Sequence, residues 1–105
     1  MEGGTLAREI DDIAKRKKYK QNQYGDRKSR KDDYTGERVF SGNTEKAIKK
    51  HPIDKISDTD HVTPIKVVQS RYKGLSDDQQ RIIANSEHNY AITNSKLNRS
   101  KGGLE

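Results

Sequence analysis

Apolar positions in this chain are sparse, and they fall into short periodic runs separated by long polar stretches. Leu6, Ile10, Ile13 and Ala14 recur at helical spacing after Thr5, a candidate N-cap, which predicts an amphipathic helix from residue 6 to about 20 ending in the basic run KRKKYK. Cations at that end suit the helix dipole. From Gln21 to Lys31 the text QNQYGDRKSRK has no apolar period and reads as a flexible basic connector. The composition shifts at Asp32. In DDYTGERVF, Tyr34 and Val39 or Phe40 flank a Thr-Gly-Glu turn, which predicts a short hairpin or strand end. SGNTEKAIKKHP then offers Asn43 or Thr44 as an N-cap for a short helix over 45–50, stopped before Pro52.

The next run, IDKISDTDHVTPI, alternates from Ile53 to Asp60 and is broken by Pro64, so it reads as a strand leading into a turn. VVQSRYKG continues as helix or loop. Ser76 with Gln79 three residues on forms a capping box for a helix over 77–84 that carries Ile82, Ile83 and Ala84 inward. After the turn NSEHN comes a strand, YAIT, and then Asn94 as N-cap of a last helix, SKLNRSK, stopped by Gly102 and Gly103. The expected order from Asp32 is strand, strand, inserted helix, strand, short helix, an α+β arrangement.

Composition limits what such a chain can bury. Leu, Ile, Val and Phe together number 18 of 105 residues, and mean hydropathy is -1.26, values at which disorder competes with folding. With no Cys, neither a disulfide nor a cysteine-held zinc can staple a thin core. The net charge of +6 is concentrated: residues 1–31 carry ten Lys/Arg against five Asp/Glu, and residues 32–105 twelve against eleven. Residues 1–31 therefore read as a basic arm, with Lys15, Arg16, Lys17 and Lys18 as candidate contacts to a polyanion, or as a solvated linker. No apolar run approaches the ~18 residues of a membrane span, and the Met1 end lacks the apolar stretch of a signal peptide, so a soluble cytoplasmic protein is the expectation.

The residues that carry chemistry lie in SDTDHVTPI. An Asp-His pair in an extended segment is either a metal ligand beside a general base or two polar residues at a strand end. Phosphodiester hydrolysis needs a hard cation to stabilise developing charge and a base to activate water. Asp and Asn oxygens suit magnesium or manganese, and neutral His suits the base. Asp60, His61 and Asn98 supply these types.

Asp60-His61-Val62-Thr63-Pro64-Ile65 resembles the D-H-[IV]-x-P-[IL] signature of the HNH endonucleases, and Asn89 and Asn98, with YAIT between them and Asn-Arg-Ser-Lys-Gly after, resemble the family's later pair. Tyr34-Thr35-Gly36-Glu37 is similar to the segment that opens many of these domains. The resemblance spans about residues 32–105 and is closest to cysteine-free HNH domains of phages and mobile elements; it extends to the HNH domains of RNA-guided CRISPR nucleases. It implies a small ββα-metal domain behind a basic, partly helical N-terminal arm, acting on DNA and leaving a 5′-phosphate and a 3′-hydroxyl. Asp60 and Asn98 would hold one divalent metal, Mg2+ or Mn2+, His61 would be the general base, and Asn89 would brace the loop bearing His61 by hydrogen bonding to its backbone. Arg99 and Lys101 are candidate phosphate contacts. Relatives usually continue with more helix after the position of Asn98, so a domain truncated at its C-terminal end is expected.

Other residues receive blander readings. His51 and His88 are expected on the surface without a role. Asp58 is either a carboxylate supporting Asp60 or an exposed edge residue, and Tyr34, Tyr72 and Tyr90 are expected to pack. Two further readings stand beside the nuclease: a non-catalytic nucleic-acid-binding or phage assembly module on an HNH scaffold, and a largely disordered basic protein. Sequence alone leaves the oligomeric state open.

Overall fold

The structure, a computed structural model, describes residues 5–42, 49, 51, 52 and 55–97. Its elements are α1 (Ala7–Ile10), α2 (Ile13–Tyr24), β1 (Ser29–Lys31), β2 (Arg38–Phe40), β3 (Ser57–His61), α3 (Ile65–Arg71), α4 (Asp77–Ala84), a 3-10 turn at Glu87–Asn89, and β4 (Tyr90–Asn94). Two antiparallel pairs, β1 with β2 and β3 with β4, make a mixed α+β domain. Of the helix expected over 45–50 only Lys49 is among the described residues, and it is helical; the start of the strand at Ile53 lies outside them.

The helix expected from residue 6 to about 20 is broken at Asp11 and Asp12. Asp12 turns its carboxylate onto the Lys15 N–H, while its own N–H donates to Asn85 Oδ1 at 3.1 Å. Such local Asp bonds offer the backbone an alternative to the helical ladder and start a new helix instead. The break also rotates the expected apolar face out of phase. Ile10 is fully buried, whereas Leu6 and Ile13 are more than half exposed.

Gln21–Lys31 is folded rather than a flexible connector. Helix α2 runs on to Tyr24, which is buried against Val39 and Ile92, and Gly25 at φ 55 ends it. Ser29–Lys31 then pairs with Arg38–Phe40 across the turn expected at Thr-Gly-Glu. Gly42, at φ 61, leaves space that a β-carbon would take from the Ile56 side chain, where the chain bridges back to Phe40.

Helix α2 crosses β3 through polar bonds more than apolar knobs. Lys20 Nζ donates to the Ser57 carbonyl at 2.6 Å, Tyr24 OH bonds Ser57 Oγ, and Thr59 Oγ1 donates to the Arg16 carbonyl. Burial lowers the Lys20 pKa, against which the nearby Asp58 carboxylate acts. The apolar core accordingly sits in two small groups: Ile10, Ile65, Val68 and Ala84 between the helices, and Tyr24, Val39 and Ile92 beside the strands.

Between β3 and β4 the chain inserts two helices. VVQSR lies in α3, with Pro64 at its start, Tyr72 at its end and Lys73 and Gly74 in the turn beyond; β3 has already ended at His61. The capping box forms as expected, with Ser76 Oγ accepting from Gln79 N–H and Gln79 Oε1 accepting from Ser76 N–H. Ile82, expected inward, is 71% exposed. Ala84 is fully buried and Ile83 packs partly buried against the same core, as expected, and Gln80 takes the remaining inward place, its amide satisfied by the Tyr72 and Leu75 carbonyls. Asn94 Oδ1 caps Leu97 N–H at 2.7 Å, opening the expected last helix.

Asp32 ties the hairpin to β4. Its buried carboxylate accepts from Tyr34 and Thr35 N–H on one oxygen, and from Thr93 Oγ1, Asn94 N–H and Asn94 Nδ2 on the other. Burial alone would raise its pKa, but these donors outweigh that and hold it below the usual carboxylate range. A depressed native pKa adds stability above the unfolded value, lost as pH falls through the native one. Asp32→Asn is therefore expected to cost about 1–3 kcal/mol in urea unfolding at neutral pH, with the gap to the parent closing below about pH 4.

Candidate active site at the end of the β3–β4 pair

The register of the pair sets Asp60 opposite Ala91 and His61 opposite Tyr90, at the end of β3. Both side chains are almost fully buried, at 4% and 5% exposure, which ionisable groups tolerate only with partners. Asp60 Oδ2 accepts from Tyr34 OH at 2.8 Å. Tyr34 is aimed there by its turn: Asp32 holds its N–H, and Asp33 pairs with Ile92 through its own N–H to the Ile92 carbonyl and through Ile92 N–H to its carboxylate. Tyr34, expected to pack, is instead 42% exposed, with its hydroxyl on the Asp60 carboxylate.

His61 faces a different set of groups. Its Nε2 lies 3.1 Å from Asn85 Oδ1 and 3.6 Å from Asp11 Oδ1, and the Tyr90 ring stands edge-on at 5.5 Å. Backbone groups of fixed polarity settle the Asn85 amide. Asp12 N–H must donate to Oδ1, and the Ile10 and Arg81 carbonyls must accept from Nδ2. With Oδ1 so placed, His61 Nε2 is the donor. Neutral His61 therefore carries its proton on Nε2 and its lone pair on Nδ1. Tyr90 OH also donates to Asn85 Oδ1, and burial, then Asp12 and Asp11, push the Tyr90 phenol pKa up, so it stays a donor.

Asn89 holds the segment that leaves His61. Its Oδ1 accepts from Thr63 N–H at 2.7 Å, its Nδ2 donates to the Thr63 and Ala84 carbonyls, and its own carbonyl accepts from Val62 N–H. Every polar atom of the side chain is thus spent on the turn 62–63 and the end of α4. Asn98, Arg99 and Lys101 lie outside the described residues.

The arm residues divide. Lys15, Lys17 and Lys18 are exposed, while Arg16 is held by Asp11 through a two-bonded ion pair, which raises its pKa. Asp58 is half-buried beside a cavity it shares with Arg16, Lys17 and Lys20 of α2. His51, expected to be a plain surface residue, stacks on Phe40 at 3.9 Å, and His88 is exposed. Sequence reading missed Asn85 and Asp11. Asn85 reads as an ordinary helix end, and Asp11 as a polar position on a helix.

Among the described residues no three His, Asp or Glu side chains group as metal ligands. None of their helices is long and apolar enough to cross a membrane. Comparison with protein-family models, curated proteins and solved structures finds no match.

The tautomer gives a direct check. Long-range proton–nitrogen NMR of His61, taken where its imidazole is neutral, is expected to show the proton on Nε2. A proton on Nδ1 would mean that the Asn85 hydrogen bond is not made.

Proposed function

We propose that this chain is a metal-dependent endonuclease of the HNH type that hydrolyses DNA phosphodiester bonds. One observation carries the reading: the segment Asp60-His61-Val62-Thr63-Pro64-Ile65 and the distant Asn89, singled out together by sequence, meet at one strand end, with Asn89 clamping Thr63 in the turn behind the histidine. An amide with no solvent-facing duty that fixes the backbone beside a histidine is what a site needs to hold an imidazole in aim.

In this reading His61 Nδ1 takes the proton of the attacking water, and the Asn85 carbonyl oxygen keeps Nε2–H pointed away from the substrate. The Asp11 carboxylate, 3.6 Å from Nε2, stabilises the imidazolium that forms. Asp60 and Asn98 offer a carboxylate and an amide oxygen, a hard donor set that fits Mg2+ or Mn2+ and not a thiophilic ion. The bound cation would supply electrostatic stabilisation of the phosphate and leaving oxygen. Arg99 and Lys101 follow Asn98 closely in the chain and are assigned to the phosphates near it.

The second reading, a nucleic-acid-binding or assembly module on the same scaffold, is favoured by the 5% exposure of His61 beneath the Asp11–Asp12 junction. Plasmid nicking separates the two. The chain with Mg2+ or Mn2+ is expected to convert supercoiled DNA to the nicked form, to stop in EDTA, and to lose about 10²–10⁴-fold in rate as His61→Ala. DNA binding without nicking at any metal concentration, by a folded chain, would favour the module.

A further inference from the structure

The β1–β2 hairpin breaks a pairing rule. Lys31 and Arg38 sit directly opposite each other in the ladder, on one face, where like charges repel. Among the described residues neither has a carboxylate partner; Arg38 Nη1 donates only to Ser29 Oγ. These two cations border a cavity of about 520 Å³ whose other walls are Gln23, Arg27, Ser29 and Arg30. Four cationic side chains and no carboxylate line it.

The guanidinium groups are set in place by the fold. Arg27 donates to the Gln23 and Tyr24 carbonyls, where α2 ends and its last carbonyls have no partner within the helix. Arg30 is held by Gln23 Oε1, the Lys31 carbonyl and Asp33. Asp33 neutralises part of Arg30 alone, so a positive field persists over the rest of the cavity. The same turn connects this cavity to the candidate active site: Asp33 grips Arg30, and Tyr34, the next residue, reaches Asp60.

We infer that this hairpin cavity is a phosphate-backbone site that leads a DNA strand toward Asp60. The inference rests on the nuclease reading for its direction, and on the hairpin for its chemistry. A polyanion crossing the cavity would relieve the Lys31–Arg38 repulsion, and planar guanidinium forks fit phosphodiester oxygens. The lining has no apolar side chain to insert into a bilayer, which selects nucleic acid over a lipid surface.

The test is the salt dependence of binding to a short DNA duplex, in EDTA so that no strand is cut. Lys31→Gln/Arg38→Gln is expected to reduce the slope of log K against log salt by about 2, close to 0.9 for each phosphate no longer neutralised, and to weaken binding alike for unrelated sequences. Lys66→Gln/Lys73→Gln, on the exposed side of α3 and beyond it, is expected to leave the slope unchanged. An unchanged slope in the hairpin variant, an equal loss in the control, or no duplex binding by the parent chain would overturn the site. So would hairpin-dependent binding to phosphatidylserine vesicles with no effect on DNA. If the parent never nicks but the hairpin variant still loses its slope, the nuclease reading fails and this site stands.

Discussion

One buried amide holds the N-terminal segment, the second inserted helix and both strands of the central pair together. Asn85, 2% exposed, accepts from Asp12 N–H, His61 Nε2 and Tyr90 OH and donates to the Ile10 and Arg81 carbonyls. Five partners from α1, the start of α2, α4, β3 and β4 converge on it. Removing such a hub strands several buried polar groups at once, each costing about 1–3 kcal/mol. The same amide fixes the tautomer of His61, so the stability of the domain and the orientation of its histidine depend on one side chain.

A chain with so few apolar residues can fold because it replaces core volume with satisfied polar hubs. Asp32 does for the hairpin what Asn85 does for the helices, and Asn89 does for the turn after β3. Among the described residues no buried side-chain nitrogen or oxygen lacks a partner. A network this complete gives a specific geometry where a thin apolar core would allow several. It also explains why β3 can present Ser57, Thr59, Asp60 and His61 as buried residues.

The parts legible in sequence were those governed by local rules. The Ser76–Gln79 capping box, the YAIT strand, the Asn94 cap and the strand end ahead of Pro64 depend on residues within a turn of each other, and the structure has them all. What escaped was set by distant partners. Asp11 and Asp12 look helical until Asn85, more than seventy residues away, takes the Asp12 N–H. Tyr24 lies in text with no apolar period, yet Ser57 and Val39 draw it inside. Ile82 is apolar and exposed because Gln80 finds two carbonyls inward. In the candidate site, Asp60, His61 and Asn89 carry a recognisable pattern, whereas Asn85 and Asp11 have no local signal for a role.

The central claim, that the strand end at Asp60 and His61 is a metal-dependent reactive centre, can be tested apart from turnover. Mn2+ titrated into the isotopically labelled chain broadens NMR signals near wherever it binds. The nuclease reading predicts broadening centred on Asp60, Tyr34 and the residues after Asn94, abolished by Asp60→Asn. Broadening centred elsewhere, such as the exposed Asp77 and Asp78 of α4, or undiminished in Asp60→Asn, would contradict it.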